Sequence, residues 1–99
     1  MLNIIKTTEN DALTVALGGR LDTTTAPQLE SELNHSLDGV TALTLDMAQL
    51  DYISSAGLRV LLAAQKRMNQ QGEMKLVHVN EIISEIFEVT GFTDILTIE

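Results

Sequence analysis

The sequence has no cysteine, a single proline, and only 6 lysines and arginines against 14 aspartates and glutamates in 99 residues. Without cysteine there is no disulfide scaffold, no thiolate zinc site and no cysteine nucleophile, a composition that suits a reducing compartment. No apolar run approaches the length of a membrane span, and Met1-Leu2-Asn3-Ile4-Ile5-Lys6 lacks the basic region and long apolar stretch of a secretory signal. A cytoplasmic protein with no membrane insertion is therefore expected. The formal net charge of −8 repels nucleic-acid phosphates and anionic lipid surfaces. Direct nucleic-acid binding is not expected, and a protein partner is the default.

What cationic charge there is clusters. Between Asp51 and Lys75, Arg59, Lys66, Arg67 and Lys75 outnumber the acids Asp51 and Glu73, so one segment is locally basic on an acidic body. Such a segment is either a solvated helix face or a surface turned toward a partner. The length fits one domain, residues 1–99, with enough chain to enclose a single apolar core.

Strand and helix periodicities alternate along the chain. A short first strand is expected over Leu2 to Lys6, and Leu13, Val15 and Leu17 alternate with Thr14, Ala16 and Gly18 in a second, which Gly18-Gly19 then punctuates. The polar stretch Thr7 to Asp11 between them suits a hairpin turn and an antiparallel pair. Thr25 and Gln28 have capping-box spacing, and the lone Pro27 suits a first helical turn. Leu29, Leu33 and Leu37 then mark one helix face, with Gly39 where a left-handed helix end is expected. Leu43, Leu45 and Met47 form a third strand, and a second helix from about Ser55 to Gln70 turns Leu58, Leu61, Leu62 and Met68 inward before Gly72. A fourth strand runs from Met74 to Val79. Asn80 caps a third helix containing Ile83, Ile86 and Phe87, Gly91 closes it, and Ile95 to Ile98 is a last strand or an extended tail. The order β-β-α-β-α-β-α-β predicts an α/β sandwich whose mixed, mostly parallel sheet carries helices mainly on one face.

Chemistry is expected at the join between the third strand and the second helix, where α/β folds gather functional groups. Two adjacent serines, Ser54 and Ser55, stand there. One reading makes a serine a helix cap and nothing more. The other notes that a helix N-terminus, with unpaired N–H groups and partial positive charge, tolerates a phosphate, and that Ala56 and Gly57 leave its approach open. A hydrolytic triad has little support, since Ser55 lies outside a G-x-S-x-G elbow and neither His35 nor His78 is placed to converge on it. No Walker loop or dinucleotide fingerprint occurs, and two histidines without clustered carboxylates do not make a metal site. No metal or cofactor is expected.

The run Tyr52-Ile53-Ser54-Ser55-Ala56-Gly57-Leu58-Arg59-Val60-Leu61-Leu62 resembles the signature of bacterial anti-sigma factor antagonists, the STAS domain family. Gly19-Arg20-Leu21-Asp22-Thr23-Thr24-Thr25-Ala26-Pro27 resembles that family's loop from second strand to first helix, and Gly72-Glu73-Met74-Lys75-Leu76 its turn into the fourth strand. The resemblance implies a STAS-type sandwich and a protein-binding switch that is not itself an enzyme. In such circuits the unphosphorylated antagonist binds an anti-sigma factor, commonly a serine kinase, and frees the sigma factor. Phosphorylation ends that binding, and a serine phosphatase restores it. The family's acceptor lies two residues before the motif glycine, which on this chain is Ser55; Ala56 replaces a second hydroxyl, and Ser54 stands where many members carry Asp. The implied partner surface comprises Asp22, Thr23, Thr24 and Thr25 with Ser54, Ala56, Gly57 and Arg59, although Asp22 equally suits a turn or cap. Stand-alone STAS proteins also resemble cytoplasmic accessory subunits of lipid-handling ABC transporters, which is the alternative expectation.

Overall fold

A hairpin begins the chain: β1 (Leu2–Glu9) pairs antiparallel with β2 (Ala12–Leu21) in a computed structural model that describes residues 1–99. The polar stretch expected to be a turn is mostly strand. Only Asn10 and Asp11 connect the two, and Asn10 takes a positive φ of 57°, a conformation asparagine tolerates better than most residues. Gly18 and Gly19 do not end β2 either. Gly19 lies inside the strand at φ 89°, where an added Cβ would collide with the Met1 carbonyl, and Arg20 N–H donates to that same carbonyl at 3.1 Å. The glycine thus allows the two strands to approach closely at their open end.

α1 (Ala26–Ser36) then leads to β3 (Ala42–Ile53), α2 (Ser55–Gln71) to β4 (Glu73–Val77), and α3 (Glu81–Thr90) to a one-turn 3₁₀ segment, Phe92–Asp94. The sheet order is β1-β2-β3-β4, with β2, β3 and β4 mutually parallel. Because each crossover steps to the next strand in the same direction, right-handed connections place their helices on the same side. Leu13, Val15, Leu43, Leu45, Met74 and Leu76 are buried on that side, while Thr14, Thr44, Asp46 and Lys75 point away. Met47 and Met68 are fully buried in the same core.

Strand β3 is longer than its simple alternation predicts. Two register shifts against β2, after Ala16 and after Gly19, each give β3 an extra residue, so its inward residues run Met47, Leu50, Ile53 at intervals of three. The bulges bend the strand and carry it directly to the start of α2.

The other boundaries shift for identifiable reasons. Leu62 is half-buried, not inward. β4 ends at Val77 because His78 adopts φ 58°, its Nδ1 donating to the Asp46 carboxylate at 3.0 Å. Asn80 caps α3 as expected, accepting from Ile83 N–H at 2.9 Å, and Gly91 ends it at φ 80°. No full fifth strand forms: Ile98 makes a single parallel bridge to Leu76, through Leu76 N–H to Thr97 O and Glu99 N–H to Leu76 O, both 2.9 Å. No helix is long and apolar enough to cross a membrane.

Candidate functional site

Parallel pairing brings the two sequence-predicted segments together at one end of the sheet. Leu21 pairs with Ile53, and Ser54 N–H donates to Leu21 O at 2.9 Å, so the Asp22–Thr25 loop and the start of α2 leave the sheet side by side. This is the carboxyl end of the parallel strands, where α/β sheets expose their loops.

The Asp22 loop is held by its own side chains. The Asp22 carboxylate accepts from Thr24 N–H at 3.0 Å and Thr25 N–H at 3.1 Å, and the Thr25 hydroxyl donates to Arg20 O at 2.8 Å while accepting from Asp22 N–H at 2.9 Å. The capping box expected of Thr25 and Gln28 does not form, since the Thr25 side chain is committed backward to the loop and makes no cap bond. The Thr25 N–H above all holds the Asp22 carboxyl below its ordinary value, against partial desolvation and with help from the Thr25 hydroxyl, Thr24 N–H and Arg20. A carboxyl depressed in the folded state supports the fold above its unfolded pKa and loses that support as pH falls through the folded value. The loop is therefore set at neutral pH and loosens only in acid. Of the two roles open to Asp22, the turn role is visible in this geometry. Arg20 completes the corner, its guanidinium 3.7 Å from the Asp22 carboxylate and 4.3 Å from the centre of the Tyr52 ring.

The two serines take different positions. Ser54 is the cap of α2, with extended backbone and its Oγ accepting from Gly57 N–H at 3.4 Å, a long bond. Ser55 is the first helical residue and is exposed. Beside it opens a cleft of about 380 Å³ lined by Leu58, Arg59, Thr90 and Phe92. A second cleft, of about 240 Å³, lies between the starts of α1 and α2, where Thr23, Pro27, Glu30, Ala56 and Arg59 meet. Arg59 borders both.

Thr90, Phe92 and Glu30 were not singled out from sequence. They come from distant elements with no motif of their own, and only the docking of α3 and α1 brings them here. His35 and His78 take Ser31 O and the Asp46 carboxylate as partners.

Gly57 has a different role from the open approach expected of it. It is buried, and an added Cβ would lie 2.7 Å from Leu21 Cγ and 2.9 Å from Ile53 Cγ1. The glycine lets the first turn of α2 sit directly on the ends of β2 and β3. Gly57→Ala gains helix propensity of up to about 1 kcal/mol. It also forces an overpacked contact that costs typically about 1–3 kcal/mol. A net loss of about 1–2 kcal/mol is expected, read as a lower urea midpoint at unchanged slope. A midpoint at or above that of the parent protein would show that the contact relaxes freely.

A model of the STAS domain family matches residues 3–99. The chain is 42% identical over 88 residues to BtrV of Bordetella bronchiseptica, named as an anti-sigma factor antagonist, covering 87% of this chain and 76% of that protein. It is 33% identical over 97 residues to the anti-sigma-B factor antagonist of Staphylococcus aureus, covering 96% and 90%. Among solved structures, an anti-sigma factor antagonist from Mycobacterium paratuberculosis superposes with a TM-score of 0.89 at 20% identity, over 99% of this chain and 85% of that one. The match spans the bulged β3, the Asp22 loop and the serine-capped α2 alike, and the chain belongs to the STAS domain family, among relatives that are anti-sigma factor antagonists.

Proposed function

We propose that this protein is a phosphorylation-controlled anti-sigma factor antagonist acting in the cytoplasm. Unphosphorylated, it binds an anti-sigma factor that is also a serine kinase and so releases a sigma factor; phosphate on Ser55 ends the complex, and a serine phosphatase renews it. The chain contributes a surface and an acceptor, and turnover belongs to its partners.

The position of Ser55 carries this reading. A kinase needs an accessible hydroxyl, and Ser55 is exposed, whereas Ser54 is half-buried and engaged as the cap. At the first position of a helix of 17 residues, a phosphate on Ser55 meets the positive end of the helix dipole and free N–H groups. The surface supporting the complex joins Asp22, Thr23, Thr24 and Thr25 to Ser54, Ala56 and Arg59. Gly57 serves it from beneath, by seating the helix.

Incubation with the partner kinase and Mg-ATP, followed by peptide mass mapping, tests the acceptor. Phosphate is expected on Ser55 and absent from Ser55→Ala. Phosphate on Ser54 alone, or undiminished labelling of Ser55→Ala, would overturn the assignment.

A further inference from the structure

We infer that phosphate on Ser55 is clasped by the Arg59 guanidinium one turn along α2, so that the modification also occupies a cation that is otherwise without an ion-pair partner. The inference rests on Ser55 as the modified residue and concerns what the phosphate does once attached.

Ser55 and Arg59 lie four positions apart along α2, which puts them one turn apart on the same exposed face, with Cβ atoms roughly 5–6 Å apart. Both line the cleft beside Phe92. An anion N-terminal to a cation at this spacing is the favourable orientation of a helical pair, and the phosphate, at the first position of α2, also meets the positive end of the helix dipole. A guanidinium matches phosphate oxygens with paired N–H donors, which an ammonium cannot do.

Arg59 is moreover uncommitted. The chain's ion pairs join Lys6 to Glu32, Arg20 to Asp22, Arg67 to Asp38 and Lys75 to Glu99, His78 contacts Asp46, and none engages Arg59. It is thus the one arginine with no carboxylate within pairing distance, in a chain whose formal charge is −8. Arg59 also borders the second cleft, which holds Glu30 and the first turn of α1, yet no ion pair forms between Arg59 and Glu30. A new dianion one turn away is a stronger attractor than anything Arg59 now faces.

Phosphoserine incorporated at position 55 during translation, in the full chain, makes the test independent of any kinase. The second ionisation of the phosphate, near pH 6 for an unperturbed group, is followed by ³¹P NMR titration. The midpoint in the parent chain is expected about 0.3 pH unit below that in Arg59→Gln, with Arg59→Lys in between. Lys66→Gln, which removes the same charge from an exposed site further along α2, is expected to leave the midpoint where it was. Coincident midpoints for the parent chain and Arg59→Gln, or an equal rise with Lys66→Gln, would overturn the pairing. Failure of the kinase to modify Ser55 would instead overturn the proposed switch and leave this titration unaffected.

Discussion

Phosphorylation of Ser55 is expected to weaken binding to the anti-sigma factor by roughly a thousandfold while leaving the fold intact. The two halves have separate physical causes. In the free protein the phosphate stays exposed at the first turn of α2, where the helix dipole favours negative charge by about 0.3–1 kcal/mol and Arg59 is at hand as a partner. Nothing buried is displaced, because Ser54 and not Ser55 holds the cap. In the complex the same dianion, about −1.5 to −2 charges at neutral pH, must lose its water against a surface shaped for a hydroxyl. An uncompensated buried charge costs on the order of 3–5 kcal/mol, and about 4 kcal/mol corresponds to three decades of affinity. Ser55→Ala is accordingly expected to bind constitutively. Ser55→Asp is expected to bind poorly at near-normal Tm, although one carboxylate imitates the phosphate incompletely. Calorimetric titration paired with a melting curve reads both halves. Undiminished binding by fully phosphorylated protein would reject the switch, and a collapsed melting transition would reject its local cause.

How much of this was legible beforehand depended on the range of the forces involved. Leu13/Val15/Leu17, Leu43/Leu45 and Leu29/Leu33 announced their faces, because an apolar period of two or four residues is a local consequence of backbone geometry, and all are buried. The caps at Asn80 and Gly91 were equally local. The far half of β3 was hidden: its bulges change the inward spacing from two residues to three, and they arise from register against β2, a nonlocal pairing. Thr25 misled for the same reason. Its spacing to Gln28 suited a capping box, but the hydroxyl was claimed by Arg20 O and Asp22 N–H, partners on the sheet side of the loop. Ser55 stood out within a contiguous motif, whereas its neighbours Thr90 and Phe92 follow 35 and 37 residues later and reach it only through the docking of α3. Gly57 was legible as a motif glycine that keeps the approach to Ser55 open but not for its packing role, since the crowding Leu21 side chain belongs to β2, far away in the sequence.

Phe87→Ala is expected to cost about 3–5 kcal/mol, the largest stability loss available to a single substitution in α3. Phe87 is completely buried and, with Ile83, anchors that helix to the core. Ile86 adds a partly buried contact and the Asn80 amide donates to Leu50 O at 2.8 Å, but no other side chain of α3 is fully buried. Glu81, Glu85 and Glu88 face outward without ion pairs, and Ile82 and Val89 are 63% and 87% exposed. A domain of this size has a total stability of about 5–15 kcal/mol, so the substitution removes a large fraction of it. At roughly 4–8 °C per kcal/mol for a domain of this length, Tm is expected to fall by more than about 10 °C. Val89→Ala, on the exposed side, is expected to stay within about 0.5 kcal/mol of the parent protein. Urea and thermal melts of the two variants decide the matter, and similar losses for both would contradict the anchoring role. The consequence extends to the switch, because Thr90 and Phe92 at the end of α3 form the far wall of the cleft beside Ser55. A loosened α3 opens that wall. Phe87→Ala held well below its Tm is therefore expected to bind the anti-sigma factor more weakly even while folded, whereas Val89→Ala leaves the wall in place.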